Sequence, residues 1–177
     1  MKKAVFIFRK DLRLEDNRSL IRALEKCDEV LPIFIFSNEQ VTEKNKYFSE
    51  KSFNFMLESL IDLDTQLQKR GSRLFLFLGD VEEIVADLFT LYKPDALYCK
   101  KDYTPYSVKR DKKIAALCNK NDIYFVQEED SLLFPVEFIK SNSDEPYKIY
   151  SFFRKKAEKH FSDIFPLLKN TYKNYIK

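Results

Sequence analysis

Three short, uninterrupted apolar runs constrain this chain more than any other feature: AVFIF at residues 4–8, VLPIFIF at 30–36 and LFLFL at 74–78. Runs of this length without alternating polar positions mark strands buried on both faces, and such strands belong to parallel sheets covered by helices on each side. The segments between them carry helical spacing. Leu20, Leu24 and Cys27 share one face, with Asp16 or Asn17 placed to cap the first turn. Phe53, Met56, Leu60, Leu63 and Leu67 follow at steps of three and four, which predicts a long amphipathic helix ending near Gly71. Asp80 with Glu83 forms a capping box ahead of Ile84, Val85, Leu88, Phe89 and Tyr92, and Pro94 stops that helix. A short strand at 96–99 follows. Thr104 and Pro105 then open another helix, and 123–126 supplies a fifth strand.

Strands alternating with helices over short links predict an α/β fold: a Rossmann-like five-stranded parallel sheet, order 3-2-1-4-5, with helices on both faces. This architecture takes up residues 1–130. Residues 131–177 contain Pro135, the polar SNSDEP stretch and a basic, aromatic segment, and are expected to form a linker and connecting helix, less firmly packed from about Ser141 onward. Phe152, Phe153, Phe161, Phe165, Tyr172 and Tyr175 give this tail enough apolar surface either to self-associate or to fold back on the domain.

Sheets of this type bind ligands outside the carboxyl ends of their strands, where the strand order reverses. That places the loops 9–17, 37 onward and 100–106 at the expected crevice. Gly71 and Gly79 are the only glycines, so neither a G-x-G-x-x-G fingerprint nor a P-loop is possible. His160 is the sole histidine, set among Lys155, Lys156 and Lys159, which argues against a His-dependent triad or a zinc site. Cys27, Cys99 and Cys118 are odd in number and form no C-x-x-C pair, as expected of small buried hydrophobes. No apolar run approaches the roughly 20 residues that span a bilayer, and the N-terminus lacks a cleavable signal; a cytoplasmic protein without membrane contact is expected. The net charge of +3 is mild, yet residues 100–120 and 140–177 each carry net +5. At most weak, sequence-independent contact with nucleic acid follows from that.

The blocks FRKDLRLEDN at 8–17, FMLESLIDLDTQLQKRGSRLFLFLGD at 55–80, DYTPYSVKRD at 102–111 and PYKIYSFFRKKA at 146–157 resemble, in order and spacing, the photolyase and cryptochrome family. They cover nearly the whole chain. The resemblance implies an N-terminal antenna domain, the light-harvesting, chromophore-binding part of a DNA photolyase whose full-length form repairs pyrimidine dimers in damaged DNA. It further implies that FAD belongs to a helical domain absent from this chain, so that the chain alone is inactive in repair. It makes the DYTPY loop and the helix it opens, through Lys109 and Arg110, the region of chromophore contact. Folate-binding members carry an acidic residue where Ser107 stands, and Asp102 matches an acidic position of deazaflavin-binding relatives. Deazaflavin or flavin is therefore favoured over methenyltetrahydrofolate.

The residues themselves suggest how such a ring is held. Arg9, nearest the end of the first strand, is the ligand candidate, while Asp11 and Arg13 brace the loop. Phe36 serves either a dye pocket or the core, and Ser37 ends at the crevice. Asp102, in one loop with Thr104, is placed to bond the polar ring edge; Tyr103 or Tyr106 supplies stacking, and Lys51 or Lys109 meets an anionic tail. Other readings are a stand-alone Rossmann-like nucleotide-binding module, a cryptochrome-type photosensory domain without repair activity, and an interaction protein using its basic tail. Oligomeric state is open.

Overall fold

The computed structural model describes residues 1–41, 45–141, 143–160 and 166–176. In chain order these form β1 (Lys3–Phe8), α1 (Arg18–Lys26), β2 (Glu29–Ser37), α2 (Asn38–Val41), α3 (Glu50–Gln68), β3 (Phe75–Gly79), α4 (Val81–Tyr92), β4 (Ala96–Lys100), α5 (Pro105–Lys120), β5 (Tyr124–Glu128), a 3-10 turn (Val136–Phe138) and α6 (Tyr150–Glu158). All strand pairs are parallel, in the order β3-β2-β1-β4-β5. The expected fold class and strand order are both present.

Alternation along the central strands sorts the core into two layers. Phe6, Phe8 and Phe34 face α1 and α3, packing on Leu20, Leu24, Leu60, Leu63 and Leu67. Val5, Ile7, Ile33 and Ile35 face the other way, onto Val85, Leu88 and Phe89 of α4 and Ile114 and Cys118 of α5. Local chemistry starts each helix. Asn17 rather than Asp16 caps α1, its side chain accepting from the Leu20 N–H at 3.1 Å. Asp80 accepts from the N–H groups of Glu82 and Glu83, and Thr104 caps α5 ahead of Pro105. All three cysteines are free and buried. Among the described residues no helix is long and apolar enough to cross a membrane.

Two expectations change. The LFLFL run is not buried on both faces: β3 is an edge strand, and Leu76 and Leu78 are 54% and 69% exposed. The buried stripe of α3 lies over β1 and β2, so of the run only Leu74 joins that layer, while Phe75 and Phe77 pack on the opposite one. The tail, in turn, is not loose throughout. β3 pairs with β2 only from Ile33 onward, which leaves the start of β2 with open backbone groups. Residues 174–176 take that place: the Val30 N–H donates to the Asn174 carbonyl at 3.0 Å, and the Ile176 N–H to the Val30 carbonyl at 2.9 Å. Tyr175 is buried there. Asn170, also buried, donates to the Leu14 carbonyl at 3.0 Å and to the Tyr175 hydroxyl at 2.8 Å. Tyr172 packs against the same layer, whereas Phe152 and Phe153 on α6 stay exposed. Phe161 and Phe165 lie outside the described residues.

The contrast between these aromatic groups is measurable. Tyr175→Ala, which empties a buried site, is expected to lower the unfolding free energy by about 3 kcal/mol in urea titrations, while Phe152→Ala changes it by no more than about 0.5 kcal/mol.

Candidate functional site

Strand order reverses between β1 and β4: the chain leaves β1 for α1 on one face and leaves β4 for α5 on the other. Their carboxyl ends diverge and open a cavity of about 420 Å³, within the roughly 300–1,000 Å³ of small-molecule sites. Ile7, Phe8, Phe34 and Ile35 give it an apolar floor, and Phe55, Met56 and Ser59 of α3 form one wall. Arg9, Lys10, Leu12, Ser37, Gln40, Val81 and the turn with Asp102, Thr104, Tyr106, Ser107 and Arg110 complete the rim.

Below the rim lies a buried charge cluster. Asp111 on α5 accepts from both terminal nitrogens of Arg9 at 2.7 and 3.0 Å, from Arg110 Nε at 2.9 Å and from Gln127 Nε2 at 2.7 Å. Arg9 also donates to the Lys100 carbonyl at 2.9 Å. A bidentate Arg–carboxylate pair with both side chains only 9% exposed is a rigid tie between β1 and α5. It also commits the Arg9 guanidinium to protein partners. Arg9 thus borders the cavity as a brace, where the sequence offered it as a ligand. Asp11 and Arg13 brace the same loop as expected: Asp11 accepts from its Arg9 and Asn17 neighbours, and Arg13 bonds Asp130 at 2.7 Å.

The polar mouth is built on the cap of α5. Thr104 Oγ accepts from the Ser107 N–H at 3.3 Å and donates to Ser107 Oγ at 2.8 Å. Asp102 accepts from the Thr104 N–H at 3.2 Å and sits 3.5 Å from Lys10 Nζ. Partial burial opposes ionisation of Asp102, but the Thr104 N–H, the Ser107 hydroxyl and Lys10 outweigh it and bring its carboxyl down to about 2. Asp102 therefore enters the cavity as a carboxylate, an acceptor only. Tyr106 donates to Glu39 at 2.8 Å and lies 5.6 Å from the Arg110 guanidinium. Ser37 Oγ, close to that phenol, makes no hydrogen bond of usable geometry, and neither does Arg110 Nη2. Two buried polar atoms without partners thus belong to rim residues near Tyr106.

Of the expected site residues, the fold brings Arg9, Ser37, Asp102, Thr104 and Tyr106 to one cavity. Phe36, Lys51, Tyr103 and Lys109 do not line it. Phe36 stacks edge-on with Phe34 and leans on Phe53, which is its core alternative. Tyr103 turns toward β5, where burial and Glu129 push its phenol up to about 12. Lys51 and Lys109 are exposed on α3 and α5. The wall from α3 was not foreseen. Phe55 and Ser59, four residues apart beside the core stripe, were its signal: a second face that only the crossing of α3 over the crevice makes functional.

A doubly wound α/β domain with an apolar-floored, polar-mouthed cavity at its switch point is a ligand-binding domain of Rossmann-like type. This one belongs to the DNA photolyase family, whose sequence profile matches residues 4–170. The chain is 34% identical over 155 residues to Cryptochrome-1 of Anopheles gambiae, covering 82% of this chain and 28% of that protein. With the deoxyribodipyrimidine photo-lyase of Synechococcus it shares 30% over 151 residues, covering 85% and 31%. The crystal structure of an archaeal photolyase from Sulfolobus tokodaii superposes with a TM-score of 0.87 at 38% identity, covering 98% of this chain and 38% of that one. That structure is described as holding two FAD molecules, with the implication of a novel light-harvesting cofactor. The chain spans about a third of the length of these relatives.

Two outcomes test the charge assignments. Asp111→Ala is expected to cost about 3–5 kcal/mol in denaturant titrations, because it strands two buried guanidinium groups. Asp102 has a carboxyl held below its unfolded value of about 3.9, so its contribution to stability is complete above that value and is lost as pH falls toward about 2. In Asp102→Asn that part of the acid limb should flatten, and carbon NMR of the parent should show Asp102 titrating near 2.

Proposed function

We propose that this chain is the light-harvesting, chromophore-binding domain of a DNA photolyase, and that the crevice takes a flavin or deazaflavin ring. The observation that carries this reading is an ionised Asp102 at the mouth of an apolar cavity whose rim also holds the two unpartnered polar atoms, Ser37 Oγ and Arg110 Nη2. These residues fit such a ring. The carboxylate calls for an N–H donor, and the guanidinium N–H calls for an acceptor. A ring edge on which N–H and C=O alternate offers both. The apolar floor and Phe55 supply contact for a flat conjugated body, and exclusion of water from it. The bound ring supplies absorption of near-ultraviolet to blue light and passage of that excitation to an acceptor.

The archaeal relative's two FAD molecules, at 38% identity over nearly the whole chain, support a flavin as the ligand class. Ser107, which joins the capping network with Thr104, offers no acidic side chain of the kind expected for methenyltetrahydrofolate. In the full-length context, the acceptor FAD would sit in a helical domain, and damaged DNA would be the substrate, split by light-driven repair of pyrimidine dimers. This chain would touch DNA weakly and without sequence preference, and would act in the cytoplasm. A stand-alone nucleotide-binding role has no independent support, and the choice between repair and photosensory function belongs to the helical part.

Titration of the purified chain with riboflavin, FAD and 5-deazariboflavin tests the proposal. A bound, yellow complex with quenched ring fluorescence is expected. Asp102→Ala should weaken it by about 1–3 kcal/mol, the range for a hydrogen bond to a charged group, with the fold intact. The chain alone should show no light-dependent repair. Lack of binding by all three rings, or equal binding by the variant, would overturn the assignment.

A further inference from the structure

We infer that the outer edge of β3 is a self-association surface, which pairs antiparallel with the same strand of a second copy of this chain. Among the described residues, no backbone hydrogen bond reaches that edge from outside the sheet. Open edges are ordinarily guarded by charge, proline or a covering segment. The other edge strand of this sheet follows that rule: β5 carries Gln127 and Glu128 and runs into Glu129 and Asp130. The open start of β2 follows it too, being covered by residues 174–176. β3, reading FLFLG, has no charge and no proline, and among the described residues no segment pairs with its outer edge.

Its surroundings are apolar as well. Leu76 and Leu78 are more than half exposed on one face of the strand, and Ile61 is 68% exposed on α3. Ile61 lies one turn before Asp64, whose carboxylate accepts from the Leu74 N–H at 2.7 Å, so it flanks the same edge. In monomers, contiguous exposed apolar surface of this kind marks a contact site.

Charge selects the occupant and its direction. Arg73 precedes the strand, and Asp80 and Glu83 follow it, all exposed. Antiparallel pairing about a twofold axis normal to the sheet keeps directly opposed side chains on one face, so the axis passes midway between the two copies of one residue, Leu76 or Phe77. Either register brings Arg73 of one copy within one residue of Asp80 of the other. The edge is thus complementary to itself in the antiparallel sense. A parallel partner would set like charges side by side.

Sedimentation and light scattering of the 177-residue chain over a concentration series, together with amide hydrogen exchange, decide the matter. A dimer is expected, with concentration-dependent protection of the β3 amides. Leu78→Lys should raise its dissociation constant by at least about tenfold, since a charge on the edge blocks pairing, while far-ultraviolet circular dichroism stays unchanged. Leu133→Lys, in the separate apolar groove beside α6, should leave the dimer as it is. A chain that stays monomeric throughout would overturn the inference. So would a dimer whose β3 amides exchange freely, or one that Leu133→Lys dissolves and Leu78→Lys does not.

Discussion

Everything at the crevice depends on the double hydrogen bond between Arg9 and Asp111. Successive helices leave β1 and β4 to opposite faces, so beyond the last ladder pair, Ile7 with Cys99, no backbone ladder holds the lips of the crevice. The Arg9 guanidinium, at the end of β1, reaches across to Asp111 on α5 and to the Lys100 carbonyl at the end of β4. Gln127 on β5 joins the same carboxylate. One carboxylate therefore fixes the spacing of three strands and a helix at the mouth. That cluster holds two arginines and one aspartate, and the surplus N–H of Arg110 is left without a partner beside the cavity.

The distribution of charge within the site follows from that arrangement. Asp111 is surrounded by protein donors and does not line the cavity, whereas Asp102 sits at the rim on a turn shaped by the Thr104 cap. Two carboxylates nine residues apart in sequence thus do different work, one bracing the frame and one facing the opening. The residue types alone carry no sign of this division; it arises from the turn and the first helical turns between them.

Much of the architecture was legible because the local signals agree with the global fold. Continuous apolar runs gave β1 and β2, the three-and-four spacing of Phe53 to Leu67 gave α3, and the caps at Asp80 and Thr104 gave α4 and α5. The failures have a common physical origin. LFLFL reads like a central strand, since nothing local distinguishes an edge from the middle of a sheet; only the partner order does. The aromatic residues of the tail allowed its return but not its place, because Tyr175 is drawn in by unpaired groups on β2, far away in sequence. At the site, Arg9, Ser37, Asp102, Thr104 and Tyr106 line the cavity from positions next to the strand ends, whereas Phe36 and Tyr103 do not. The α3 wall depends on a helix crossing angle, and the diversion of Arg9 depends on a long-range partner, Asp111.

The most direct check on this picture is where a ring binds. Backbone amide chemical shifts of the isotope-labelled chain, followed during titration with riboflavin, read all candidate surfaces at once. Perturbations are expected together at residues 8–10, 55–59 and 102–110, the three segments that only the switch-point cavity brings into contact. Shifts confined to the apolar groove lined by Leu133 and Phe153, or spread without pattern over the lysine-rich surface, would contradict it.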